Sequence, residues 1–280
     1  MDMDRYAPWH GYSETQTERL DLWPMRGLLA ALDTPEVPIE EREAPPLAQW
    51  LYFPPMVVQS ELGDDGHPRR GGFLPPITLA RRMWAASDIL FHAPLVMGRH
   101  VTKTATVSDI SLKDGKSGAL IFVKVDNAYS DAKTGAPLLE ETQTLVYRDL
   151  PGADEPDPTG KPAPEGANWS RAYTIDEAMM FRYSAVTFNA HRIHYDRDYT
   201  RAQEGYPDIL VQGQLSATLM LRDLLTAVPD ARLASFSFRG VQPVLCGERV
   251  HVEGKPREEG GYDLWVRDDE GILRVSARAG

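Results

Sequence analysis

The sequence predicts an α+β fold of two similar units, each an antiparallel sheet wrapped around a central helix. Three observations carry this. Residues 208–225 are apolar on nearly every side, so a helix there must be covered all round by protein. Alternating, β-branched runs punctuated by glycine turns occur on both sides of a proline-rich stretch near the middle of the chain. A local frame repeats, PLVMGRHV at 94–101 against PVLCGERV at 243–250, with Pro, Gly and Val at a constant offset and strands following each. A chain of 280 residues is long enough for two such core-forming units.

Taken in order, residues 13–33 read as one or two short helices carrying Leu20, Leu22, Leu28, Leu29 and Leu32. Residues 35–76 are broken by Pro45-Pro46, Pro54-Pro55 and Pro75-Pro76, with Gly63-Asp64-Asp65-Gly66 between, and read as an ordered loop or a lid. The stretch 76–90, PITLARRMWAASDIL, starts with Pro and spaces Ile77, Leu79, Ala80, Met83 and Trp84 as a helix would. HVTKTATVSDISLK, SGALIFVKVDNAYSD and LLEETQTLVYRD then read as strands, turning at Asp114-Gly115 and Lys133-Thr134-Gly135.

Residues 151–168 hold five prolines and little to bury, as a linker does. The expected organisation is an N-terminal unit at 1–150, this linker, and a C-terminal unit at 169–280. Within the last, 173–181 reads as a short capped helix and 208–225 as the long one. FSFRGVQPVLCGERVHVEGKP, YDLWVRD and ILRVSARA read as its strands.

Composition excludes several function classes. A formal charge of −11 argues against a nucleic-acid partner, although Arg69-Arg70 and Arg81-Arg82 are local clusters suited to a small anionic ligand. Cys246 is the only cysteine, which excludes an intramolecular disulfide and a multi-thiolate metal site; it reads as a small core residue. The first residues show no charged-then-apolar signal pattern, and no run approaches the roughly 18 apolar residues of a membrane span. A cytoplasmic protein without membrane partners is expected.

The chemistry-bearing stretch is 182–225, where Asn189, His191, His194 and Asp196 precede Gly213 at the start of the apolar segment. Imidazole titrates near neutrality and suits proton transfer, whereas the Asn189 amide orients water without removing a proton. Gly213 offers a backbone N–H at a helix N-terminus, or serves only close packing. His191, His194 and Asp196 lack a second ligand cluster, so no metal is expected.

SAVTFNAHRIHYD resembles the hydratase-2 motif of MaoC-like (R)-specific enoyl-CoA hydratases, in which Ser/Thr-Gly precedes Asp-x-Asn-Pro-Leu/Ile-His. With His194 on the final His, Asn189 falls on the Asp, His191 on the Asn, Arg192 on the Pro and Phe188 on the Gly. Gln212-Gly213 falls on the His-Gly that opens the family's central helix. TFNAHRIHYD is most similar to the two-hot-dog branch that includes mesaconyl-C4-CoA (3-methylfumaryl-CoA) hydratase, itaconyl-CoA hydratase and mitochondrial 3-hydroxyacyl-thioester dehydratase 2.

The resemblance implies a double hot-dog fold and reversible hydration of a short branched dicarboxylyl-CoA, with CoA part of the substrate and no separate cofactor. His194, Asn189 and Gly213 are then the expected catalytic set, Gly213 supplying the oxyanion N–H. Arg192, His191, Gln212 and Tyr195 are the expected substrate contacts. The first half, lacking an Asn-x-x-x-x-His before Pro76, is expected to supply sheet and part of the acyl pocket. A homodimer is expected from exposed sheet edges. A hot-dog thioesterase and a non-catalytic acyl-CoA-binding subunit are the alternatives.

Overall fold

The computed structural model describes residues 2–115, 118–150 and 160–280. Among them, ten strands form one antiparallel sheet in the order β1-β3-β4-β5-β2-β7-β10-β9-β8-β6. The first five are β1 (Ser13–Arg19), β2 (Arg81–Phe91), β3 (His100–Gly115), β4 (Gly118–Asp131) and β5 (Pro137–Arg148). The last five are β6 (Trp169–Thr174), β7 (Ser235–Gly240), β8 (Arg249–Pro256), β9 (Tyr262–Asp268) and β10 (Leu273–Ala279). Each group has the same internal order, and the two join edge to edge where β2 pairs with β7, from Ala86 opposite Arg239 to Leu90 opposite Ser235. This is the expected double hot-dog arrangement, with its two sheets merged into one.

The repeated octets occupy equivalent places, between β2 and β3 and between β7 and β8. Their glycines adopt the same left-handed backbone, φ 86° at Gly98 and 77° at Gly247, a conformation that costs a residue with a Cβ. Four α-helices accompany the sheet: α1 (Leu22–Ala31), α2 (Glu177–Thr187), α3 (Arg197–Glu204) and α4 (Gly213–Ala227). Helix α4 lies against β8, β9 and β10, and buries Leu215, Ala217, Leu219, Met220, Leu221 and Leu224. Helix α1 instead packs on α2.

Several expectations need correction. Residues 13–19 form strand β1, not helix, because their alternation is of hydroxyls: Ser13, Thr15 and Thr17 meet Thr106, Thr104 and Thr102 at 2.6, 3.0 and 2.9 Å across the β1–β3 pair. The helix expected at 76–90 is strand β2. It is hydrogen-bonded on both edges, to β5 and β7, and a register shift between Trp84 and Ala86 interrupts the alternation by which a strand is read. Helix α2 starts only after Asp176, whose Oδ1 accepts from the Met179 N–H at 2.8 Å, and 169–174 is strand. Helix α4 starts at Gly213; residues 208–212 precede it outside any helix, with Ile209, Leu210 and Val211 buried.

Of the expected linker, 151–159 lie outside the described residues. Residues 160–163 run beside the β9–β10 turn, where Leu273 N–H donates to Lys161 O and Ala163 N–H to Gly271 O, both at 2.8 Å. In the segment 35–76, residues 47–53 are anchored in the core except for half-buried Trp50. No helix among the described residues is long and apolar enough to cross a membrane.

Candidate active site

The motif loop is shaped from both ends. Helix α2 stops at Phe188, whose left-handed backbone (φ 51°, ψ 35°) turns the chain where a glycine would turn without strain. Asn189 Oδ1 then accepts the His191 N–H at 3.0 Å, a local turn that fixes the next residues. A single 3-10 turn, Arg192–His194, leads to Asp196, which caps α3 by accepting the Tyr199 N–H at 2.9 Å.

Opposite the loop stands a turn from the first half of the chain. Arg192 N–H donates to Asp65 O at 2.9 Å, and the Arg192 guanidinium donates to Asp64 O at 3.0 Å. Gly66 (φ 84°) passes so close that a Cβ there would sit 1.9 Å from Ala190 O. The turn thereby brings His67 into the site, its ring centroid 4.0 Å from that of His191; His191 is 5.5 Å from His194 by the same measure.

These groups open on a cavity of about 1610 Å³. Asn189, His191, His194 and Gly213 line it from the second half of the chain, and His67, Arg81 and Arg82 from the first. The faces of β2–β5 supply Trp84, Lys103, Asn127 and Gln143 to its wall, because no long helix among the described residues covers them.

The imidazoles are neutral at pH 7. His194 Nδ1 lies 2.7 Å from Leu210 O, a carbonyl that can only accept, so Nδ1 carries the proton and Nε2 is the accepting nitrogen. Burial lowers its pKa to about 4, against the smaller opposing effect of that hydrogen bond. His67 is likewise lowered to about 4, by burial and by Arg82, while Asp65 pulls the other way. Burial acts to raise the Asp65 pKa, but the hydrogen bond and charge of His67 and the charge of Arg82 prevail and bring it down to about 2. His191 is held well below its usual range, chiefly by burial and then by its imidazole neighbours; its Nε2 is buried without a partner.

The remaining expected contacts lie elsewhere. Gln212 is fully buried and turned to α2, donating through Nε2 to Met180 O at 3.0 Å and Ser184 Oγ at 2.8 Å, which ties the start of α4 to α2. Arg192 is engaged with Asp196 Oδ2 at 2.7 Å and lies over the Tyr199 ring at 4.1 Å, outside the cavity lining. Tyr195 is exposed and does not line the cavity either. Asp196 serves as a helix cap and as the partner of Arg192.

Asp65, His67 and His191 each offer a ligand atom within 4.8 Å of the others, the spacing a metal ion needs. Arg82 Nη2, 3.9 Å from the Asp65 carboxylate, places a fixed positive charge beside that set, which disfavours a divalent cation. The sequence reading missed Asp65 and His67. Their one signal is an acidic residue and a histidine two apart in a glycine-punctuated turn, GDDGHP.

The family model for hydroxyacyl-thioester dehydratase type 2 matches residues 47–246, a span that includes both the Asp65–His67 turn and the motif loop. The chain belongs to that family. This hydroxyacyl-thioester dehydratase type 2 family member is a hydro-lyase. It is similar to the mesaconyl-C(4)-CoA hydratase of Chloroflexus aurantiacus, at 37% identity over 274 residues, covering 97% of this chain and 96% of that relative. Two solved structures share the family member's fold. One is a MaoC-like dehydratase from Phytophthora capsici (TM-score 0.70, 15% identity, covering 100% of this chain and 98% of the other). The second is a Mycobacterium tuberculosis protein with a double hot-dog fold (TM-score 0.59, 14% identity, covering 96% and 95%).

Proposed function

We propose that this hydro-lyase reversibly adds water to a short, branched α,β-unsaturated dicarboxylyl-CoA thioester of the mesaconyl-C4-CoA or itaconyl-CoA kind. The observation that carries the substrate class is Arg82. It lines the cavity, its side chain is nearly buried, and its guanidinium lies beside Tyr147 with the Asp65 carboxylate 3.9 Å from Nη2. A cavity-lining guanidinium held in low-dielectric surroundings suits a planar carboxylate, which accepts two N–H groups at once. The likeness to a mesaconyl-C(4)-CoA hydratase supports the same class.

Water addition needs a neutral base beside Cβ, a proton for Cα and donors for the thioester oxygen as it becomes an enolate. The neutral His194 imidazole presents Nε2 to the cavity as a hydrogen-bond acceptor that holds the water in place, and Asn189 supports the same water through its amide. The Gly213 N–H, at the first position of buried α4, faces the carbonyl oxygen with the positive end of the helix dipole behind it. Such a donor typically contributes ~10²–10³-fold in rate.

The part of 35–76 beyond the anchored residues lines the cavity mouth with Pro55, Met56, Val57 and Phe73. It is the segment expected to close on a bound thioester, and limited proteolysis with and without CoA thioester checks this by its protection. A cytoplasmic location and a homodimer belong to the same proposal; light scattering in solution reads the latter.

The deciding assay offers mesaconyl-C4-CoA, itaconyl-CoA and crotonyl-CoA, with product mass and free thiol measured together. The proposal expects a gain of one water on a dicarboxylyl substrate and no thiol. Thiol release without hydration identifies a thioesterase, and no product from any thioester identifies a binding subunit.

A further inference from the structure

Whichever group carries the proton during water addition becomes a cation for part of the cycle. In a buried site that cation is costly unless an anion stands beside it. The three imidazoles of the cavity differ in this respect. His194 Nδ1 meets only the neutral Leu210 carbonyl, and His191 Nε2 is buried with no partner. His67 Nδ1 lies 3.3 Å from Asp65 Oδ2, and the Asp65 carboxylate also accepts the His67 N–H at 3.0 Å. With Nδ1 turned to a carboxylate, the accepting nitrogen of His67 is Nε2, and the residue lines the cavity.

We propose that the Asp65–His67 pair is the proton carrier of the reaction, His67 as a catalytic residue and Asp65 as its positioning residue, while His194 and Asn189 hold the attacking water. This rests on the hydro-lyase reading of the cavity given above. In the hydration direction one water proton passes to His67 Nε2 as the water oxygen bonds to Cβ. The Cα=Cβ π pair moves onto the thioester, giving an enolate whose oxygen accepts the Gly213 N–H. The His67 imidazolium, held by Asp65, then gives that proton to Cα; the enolate collapses to the thioester and His67 returns to neutral. One water is consumed, its hydroxyl on Cβ and its hydrogen on Cα, and no further reactant is needed.

The placement is fixed, not incidental. Asp65 O accepts the Arg192 N–H, and Gly66 touches the Ala190 carbonyl, so the turn carrying His67 is locked to the motif loop. The groups that face His67 are Asp65 from its own turn, Arg82 from β2, and His191 and His194 from the motif loop. Asp65 is ionised and His67 neutral at pH 7, the state a base requires. Asn189 in the motif loop is an amide and takes no proton, so among the described residues a carboxylate-held imidazole comes to the cavity only from the Asp65–His67 turn.

The test uses the full chain with mesaconyl-C4-CoA and crotonyl-CoA. On a thioester that the wild type hydrates, His67→Gln is expected to lower kcat ~10³-fold with KM within about threefold. Added imidazole is expected to restore turnover to His67→Ala. Asp65→Asn is expected to lower kcat ~10²-fold and to move the acid limb of the pH profile to lower pH, because Asp65 raises the His67 pKa; a merely structural turn would leave that limb in place. If His67→Gln fails to fold, the Asp65→Asn limb and the imidazole response decide alone. An active wild type with His67→Gln within tenfold of it overturns the proposal only. So does an unmoved limb, or activity lost to a chelator and restored by zinc. A wild type that hydrates neither thioester overturns the proposal together with the reading beneath it.

Discussion

The two halves of the sheet have the same strand order and opposite uses. In the second, α4 fills the concave face against β8–β10 and its first residue, Gly213, becomes part of a polar site. In the first, β2–β5 carry no such helix among the described residues, and their uncovered face becomes the wall of a cavity of about 1610 Å³. One copy of the fold thus supplies the motif loop with Asn189, His191 and His194, and the other supplies room, the Arg82 cation and the Asp65–His67 pair. A repeated architecture constrains the backbone, and the chemistry depends on which concavity is filled.

Breaking the second half's contribution has the largest expected effect. His194→Ala should lower kcat/KM ~10³-fold on any thioester the wild type hydrates, with the thermal melt little changed. Turnover within tenfold of wild type would remove this residue from the site. Breaking the lock between the halves comes next. Gly66→Ala forces a Cβ to within 1.9 Å of Ala190 O at φ 84°, and should destabilise by about 3 kcal/mol and cost ~10²-fold in activity as His67 shifts from the loop. Urea melts and kinetics read both.

The pH dependence of stability compares one imidazole from each half. Burial keeps His67 and His194 neutral down to about pH 4, whereas in the unfolded chain they protonate near 6.5. The unfolded state therefore binds more protons between those values. Stability should fall as pH drops from about 6.5 to about 4, by on the order of 2–3 kcal/mol per imidazole, with no further loss from these groups below that. Replacing either histidine with Gln should flatten its share of the slope in urea titrations. The smallest effect is at Phe188, exposed and in the left-handed region at φ 51°. Phe188→Gly should stabilise the fold by about 1 kcal/mol and leave kcat within twofold.

Much of the second half could be read from sequence because its signals are local. The Gly-opened apolar run is α4, and the strands of the C-terminal sheet alternate around Gly turns. The first half was harder for physical reasons. Strand β2 has a register shift between Trp84 and Ala86 that breaks its alternation, and β1 is held by a ladder of hydroxyls with nothing apolar to count. Arg192 and Gln212 are expected ligand groups by their place in the motif, and the structure pairs each with a neighbour, Asp196 in one case and Met180 and Ser184 of α2 in the other. His67 lies in a turn without periodicity, and its meeting with His191 depends on a contact across more than a hundred residues of chain.

The most direct measurement on the composite site is the ratio of kcat/KM for mesaconyl-C4-CoA to that for crotonyl-CoA, in the wild type and in Arg82→Leu. If the first half supplies the cation that receives the substrate's free carboxylate, the substitution lowers the ratio of the dicarboxylyl to the crotonyl value ~10²-fold, beyond the change common to both that follows from losing the Arg82 charge beside Asp65 and His67. An equal fall for both substrates, or none for either, contradicts it.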